Sequence, residues 1–206
     1  ENEVRYLSVK YSMPEYLVEK WKAAYGVKTT EKILEDFLTE RPITVRCRTH
    51  KASLREIVTS LKSQGVTVEQ APYLPYALKI SDYNHILTLE TFLQGKILVQ
   101  DVSSMLVAEA ASPKKGDHII DMCAAPGGKS IHAADKMGDY GNVDARDVSQ
   151  YKADLIKENI HRTGVINVEA RVQDATVYDP DSEQAADIVI ADVPCSGYGV
   201  IGKKPE

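Results

Sequence analysis

The chain has 206 residues, 43% of them hydrophobic and 27% charged, with a formal net charge of −5. This is the composition of a globular chain of one or two domains, and its acidic balance argues against a non-specific nucleic-acid binder. No apolar run is long enough to span a bilayer and no signal-like segment opens the chain, so a cytoplasmic location is expected.

In chain order, Pro14 precedes a helical pattern over Glu15 to Tyr25, and Thr30 opens a second over Ile33, Leu34, Phe37 and Leu38. Pro42 to Cys47 alternates like a strand and Leu54 to Leu61 repeats like a helix. Val66 to Val68 and Ala77 to Ile80 read as further strands. Residues 1–95 therefore form a small α+β unit. Its charge is near balance, so the acidity belongs to the remainder, and Arg41, Arg46, Arg48, Lys51 and Arg55 crowd one segment of it. That cluster reads either as a patch for phosphates or as a solvated charged face.

From Gly116 strands alternate with helices: Ile119-Ile120, Lys129 to Lys136, Gly141 to Ala145, Tyr151 to Arg162, Val168 to Val172 and Ile188 to Ala191. Such alternation means a parallel sheet with covering helices, whose ligands lie beyond the carboxyl ends of the strands. Acids stand at or just past those ends: Asp121, Asp147, Asp174 and Asp192. Asp147 falls about 20 residues past a Gly-rich turn, where an acid binds ribose hydroxyls. It is also placed to cap the following helix. Asp174 is read either as an adenine contact or as a loop cap.

The turn lies in DHIIDMCAAPGGKS, residues 117–130, where a buried strand runs through Pro126-Gly127-Gly128 into a helix starting near Lys129. A phosphate-binding P-loop needs a glycine where Cys123 stands, and GxGxxG is absent. A strand ending in Asp121, followed by a loop of small residues, suits instead a ligand carrying an ammonium group, such as S-adenosylmethionine. The last strand delivers Asp192, Pro194 and Cys195 to the same edge. Cys195 is read either as a reactive thiol, able to add to an electron-poor pyrimidine, or as a small buried hydrophobe. Cys47, Cys123 and Cys195 form no CxxC pair and the five histidines are scattered, so no disulfide, zinc site or other metal is expected.

DMCAAPGGKS together with ADVPCSGYGVIGKKP resembles the RNA cytosine-5 methyltransferases of the Sun/RsmB family, and the resemblance extends to Gln100-Asp101-Val102-Ser103-Ser104 and to MPEYLVEKW. It implies an α/β fold: a Rossmann-like methyltransferase domain over residues 96–206, preceded by an RNA-recognition-motif-like subdomain over 1–95. It implies S-adenosylmethionine bound by Cys123, Ala124, Ala125, Pro126, Gly127, Gly128 and Lys129, with Asp147 at the ribose, Asp174 near the adenine and Asp192 near the methyl group and the base. The implied partner is RNA, above all small-subunit ribosomal RNA, contacted by Arg41, Arg46, Arg48, Lys51, Arg55, Lys203 and Lys204. The acting form is expected to be a monomer.

In this family the cysteine of PCSG, here Cys195, assists product release, and a second cysteine in a Thr-Cys motif further downstream is the nucleophile. Residues 1–206 hold no Thr-Cys pair. The chain also opens without Met, so it is expected to be a piece of a longer protein, incomplete at the end of its Rossmann-like domain and with little or no methylation activity alone. An apolar strand at an open sheet edge is expected to result. Two other functions stay open: an RNA- or cofactor-binding remnant without catalysis, and an NTPase imitated by Gly128-Lys129-Ser130.

Overall fold

The computed structural model describes residues 2–39, 42–138 and 140–195. They fall into two compact units, residues 2–39 with 194–195 in one and residues 42–138 with 140–193 in the other. The first unit contains three helices, α1 (Asn2–Tyr11), α2 (Glu15–Tyr25) and α3 (Val27–Phe37). Leu7, Leu17, Val18 and Leu34 meet in its core. The helix α1 carries no turn or cap signal strong enough to have been expected from sequence.

The second unit holds two sheets. The first follows the order β1 (Ile43–Cys47), α4 (Leu54–Ser63), β2 (Thr67–Gln70), β3 (Ala77–Ser81), a short α5 (Glu90–Leu93) and β4 (Ile97–Val99). Its strands lie β2-β3-β1-β4 and all pairs are antiparallel. This βαββαβ arrangement is ferredoxin-like. The strand β4 lies beyond the boundary drawn at residue 95 and completes this sheet. Ser53 starts α4 with a capping box, its hydroxyl and Glu56 satisfying each other's backbone N–H groups. Ile57 and Leu61 then pack on Val45, Cys47, Leu78 and Ile80.

After α6 (Val102–Ala111) comes the alternating region: β5 (His118–Asp121), α7 (Gly128–Met137), β6 (Asn142–Asp147), α8 (Gln150–Thr163), β7 (Val168–Val172) and β8 (Ile188–Ile190). The strand order is β7-β6-β5-β8, all parallel. Ile119, Val143, Ala145, Val168 and Ile190 bury one face of this sheet against Ala133, Ala134, Met137 and Ile156 of α7 and α8. Among the described residues β8 stands at the edge of this sheet, and Val189 on it is 57% exposed. No described helix is long and apolar enough to cross a membrane.

The two sheets are joined by buried polar contacts. Asp135, near the end of α7, accepts hydrogen bonds from Arg46 Nη1 at 2.6 Å and from Arg48 Nη2 at 2.6 Å, while Arg48 Nη1 reaches Thr163 O at the end of α8 at 2.5 Å. Gly95 lies against the same helix end, where a Cβ would sit 2.5 Å from Arg162 O, so no other residue fits there without movement.

This overturns part of the expected RNA surface. Arg46 and Arg48 are each only 2% exposed. They stand on the face of β1 opposite Val45 and Cys47, and α7 covers that face, so their charge is committed to Asp135 rather than to a nucleic-acid phosphate. Lys51 and Arg55 are exposed. Arg41, Lys203 and Lys204 lie outside the described residues.

Candidate cofactor site

Parallel pairing of β8, β5 and β6 aligns their carboxyl ends and sets Asp121 beside Ala145 and Ile190. The chain leaving β5 then crosses both neighbours: Met122 N–H donates to Ile190 O at 2.9 Å and Ala124 N–H to Arg146 O at 2.8 Å. Ala125 N–H donates to Asp147 Oδ2 at 3.0 Å, and the Ala125–Pro126 peptide is cis. Gly127 turns the chain with φ +100°, where a Cβ would meet Ile156 Cγ2 at 3.3 Å. The helix α7 follows without a side-chain cap. Its first intrahelical bond runs from Ile131 N–H to Gly127 O, so the N–H groups of Gly128, Lys129 and Ser130 precede the ladder and remain donors for an anion.

Asp121 is 1% exposed. Its Oδ2 accepts from Ser130 Oγ at 2.7 Å, and its Oδ1 has no hydrogen-bond partner. Burial pushes this carboxyl up to about 6, against the hydrogen bond from Ser130 and the charge of Lys129. A buried carboxylate oxygen outside hydrogen-bond geometry, influenced by the backbone N–H of Cys123 in the small-residue turn, suits the ammonium end of an amino-acid-like ligand. Ser130, nine residues along, was missed in sequence because only the fold of the turn brings it back.

Asp147 closes β6 at 3% exposure. Besides Ala125 N–H it accepts from Val148 N–H at 2.8 Å and Lys152 Nζ at 3.0 Å. Burial pushes its carboxyl up, but the bonds from Lys152, Ala125 and Val148 outweigh this and hold it below the usual carboxylate value. The cap of α8 is Ser149, whose Oγ takes Lys152 N–H, so Asp147 is not spent as a helix cap. A carboxylate offers about four lone-pair sites, which leaves Asp147 capacity for a hydroxyl.

Asp174 Oδ1 accepts from Thr176 N–H at 2.9 Å and Thr176 Oγ1 at 2.7 Å, which is the loop-capping role, and these bonds hold its carboxyl low. Asp174 also lines a cavity of about 220 Å³ with Met122, Gln173 and Ala175. Asp192 pairs with Lys129 Nζ at 2.5 Å. Cys123 lies in the turn, and burial together with Asp147 and Asp121 raises its thiol pKa, so it is not an activated thiolate. Cys195 is exposed and groups with the helical unit rather than with the sheet.

A parallel sheet with an acid at the end of each of three adjacent strands, and a glycine turn leading into a helix, defines a Rossmann-like domain of the methyltransferase type. Residues 108–206 match the family described as "16S rRNA methyltransferase RsmB/F", and residues 13–86 match "Methyltr_RsmF/B-like, ferredoxin-like domain". The chain belongs to the RsmB/F methyltransferase family. It is 38% identical over 207 aligned positions to a probable ribosomal RNA small subunit methyltransferase B of Bacillus subtilis, covering 100% of this chain and 46% of that protein. A Homo sapiens 28S rRNA (cytosine(4447)-C(5))-methyltransferase is 31% identical over 97% of this chain and 25% of its own length. The crystal structure of PH0851 superposes with a TM-score of 0.85 at 34% identity, over 100% of this chain and 47% of that one. The chain thus spans about half the length, or less, of the curated relatives it matches.

Proposed function

We propose that the whole protein transfers a methyl group from S-adenosylmethionine to carbon 5 of a cytosine in small-subunit ribosomal RNA, and that this chain supplies the cofactor pocket and the ferredoxin-like subdomain beside it. The carrying observation is the convergence of Asp121, Asp147 and Asp192 on the glycine-rich turn at the carboxyl ends of β5, β6 and β8. When bound, S-adenosylmethionine would supply an electrophilic methyl group on a sulfonium. Asp121 would take the ammonium, the N–H groups opening α7 the carboxylate, and Asp147 a ribose hydroxyl. Asp174, with the residues from Cys123 to Lys129, closes around the remainder.

Asp192, paired with Lys129, is proposed to stabilise protonation of the cytosine ring, and Cys195 is proposed to assist product release. The target base must leave its stack to reach them. Carbon 5 of cytosine becomes nucleophilic only after a thiolate adds at carbon 6, a task that this reading assigns to a cysteine of the whole protein other than Cys195. Lys51 and Arg55, with Arg41, Lys203 and Lys204, are proposed RNA contacts. The acting form is proposed to be a cytoplasmic monomer.

Calorimetric titration with S-adenosylhomocysteine tests the pocket without needing the nucleophile. Asp147→Ala is expected to weaken binding at least about tenfold, as loss of a charged hydrogen-bond acceptor does. A folded chain that does not bind, or binds equally well with the substitution, overturns the reading.

A further inference from the structure

We infer that Asn159 is a positioning residue for the glycine-rich turn, tying Pro126 through Arg162 to the ferredoxin-like subdomain, an inference that rests on that turn being the cofactor site. Asn159 lies on α8, one turn before its end. Its Nδ2 donates to Pro126 O at 3.0 Å and to Leu155 O at 3.3 Å, and its Oδ1 accepts from Arg162 Nη2 at 2.7 Å. Arg162 Nη1 in turn donates to Phe92 O in α5 at 2.8 Å and to Ile97 O in β4 at 3.3 Å. Its guanidinium carbon stands 3.9 Å from the centre of the Phe92 ring. Hydrogen bonds of two side chains therefore connect the ferredoxin-like subdomain to the turn.

The bond to Pro126 falls where the turn needs support. A glycine restricts its own backbone less than any other residue, so the peptide entering Gly127 has to be fixed by its neighbours. Pro126 has no N–H, which leaves its carbonyl as its one polar group on the main chain. Asn159 holds that carbonyl, while Gly127 N–H, on the same peptide, donates to Ala124 O at 2.6 Å. A peptide held at both its C=O and its N–H sets the direction in which Gly127 delivers the N–H groups of Gly128, Lys129 and Ser130 to the proposed ligand. Binding groups must be held to within about 0.5 Å to be effective, and a hydrogen-bonded support provides that.

The residue type is also constrained. Pro126 O needs a donor and Arg162 an acceptor, and an amide offers both. Asn is a weak helix former, so its place inside α8 is explained by these two bonds rather than by the helix. An aspartate there would still accept from Arg162 but would turn an oxygen toward Pro126 O, and an alanine would lose both bonds.

The test is NMR-detected amide hydrogen exchange on the ligand-free protein, alongside titration with S-adenosylhomocysteine, in Asn159→Ala and Asn159→Asp. Alanine raises the helix propensity of α8 and aspartate does not, so a response shared by both belongs to the lost donor and not to the helix. In both, exchange of the Gly127 and Ile131 amides should accelerate about fivefold while β5 and β6 keep their protection, and the Kd should rise about fivefold. Arg162→Lys keeps the charge but loses the planar fork. It should accelerate the same two amides alone and add little to Asn159→Ala, since it acts through Asn159. Unchanged exchange and affinity overturn the inference, as do a response in Asn159→Asp only, protection lost equally from turn and strands, and effects of Arg162→Lys and Asn159→Ala that add in full. If the original protein binds no S-adenosylhomocysteine but its turn responds to Asn159, the cofactor reading fails and the positioning role stands. If it binds and responds to Asp147→Ala but not to either Asn159 variant, the positioning role fails.

Discussion

Asp121 offers the sharpest handle on the proposed ligand, because its ionisation should report whether an ammonium sits beside it. Burial raises its carboxyl from 3.8 to about 6, Ser130 and Lys129 oppose the rise and Asp192 adds to it. About two pKa units correspond to about 3 kcal/mol. Without ligand, the folded chain keeps a proton on Asp121 at pH values where the unfolded chain has lost it. Stability should therefore fall, by up to about 3 kcal/mol, as pH rises from about 4 to about 6, and be unaffected by this group above that.

Ligand affinity should run the other way. A cationic ammonium prefers the ionised carboxylate, which is about a tenth populated at about pH 5 and about nine-tenths populated at about pH 7. Binding of S-adenosylhomocysteine should strengthen about tenfold across that interval and level off beyond it. Asp147 is held low and His132 is pushed down to about 3 by burial, so neither titrates in the window. The assay is calorimetry at fixed ionic strength, corrected for buffer ionisation, on the original chain and on Asp121→Asn. The substitution should flatten the dependence. A flat profile in the original chain, with Asp147→Ala still weakening binding, would refute the assignment of the ammonium to Asp121.

Three further outcomes are expected. Asp135→Asn removes the carboxylate shared by Arg46 and Arg48 and should cost about 3–5 kcal/mol, read as a lower urea midpoint; a loss below about 1 kcal/mol would mean that the three groups do not act as a buried ion cluster. Gly127→Ala combines a φ of +100° with a tight approach to Ile156, and should cost about 1–3 kcal/mol in thermal or urea unfolding, with little cost counting against the strained turn. The pair Lys51→Ala and Arg55→Ala should weaken RNA binding and reduce its dependence on salt by roughly one to two counterions, whereas an unchanged slope would place the RNA elsewhere.

Much of the second half was legible in the sequence because its signals are local. The apolar run before Asp121, the Pro126-Gly127-Gly128 break and the strand ending before Asp192 each follow from residue types within a few positions, and parallel pairing follows from their alternation with helices. Asp147 was legible by spacing as an acid ending a strand, and the structure gives the cap of the next helix to Ser149.

Other features depended on contacts between distant residues. Arg46 and Arg48 look in sequence like a basic patch, since nothing near them marks a carboxylate 87 or more positions away as their partner. Two guanidiniums can be buried only where one acid is brought between them, and that meeting is made by packing α7 across β1. The fold of the turn put Ser130 on Asp121, and the packing of the two sheets put Gly95 against Arg162. The sequence by itself determined which segments turn, which alternate and which acids end strands, because backbone sterics and apolar periodicity act over short range. Only the tertiary structure decided which charges are available for a ligand and which are spent inside the protein, because burial and pairing of a charge are properties of the packed chain.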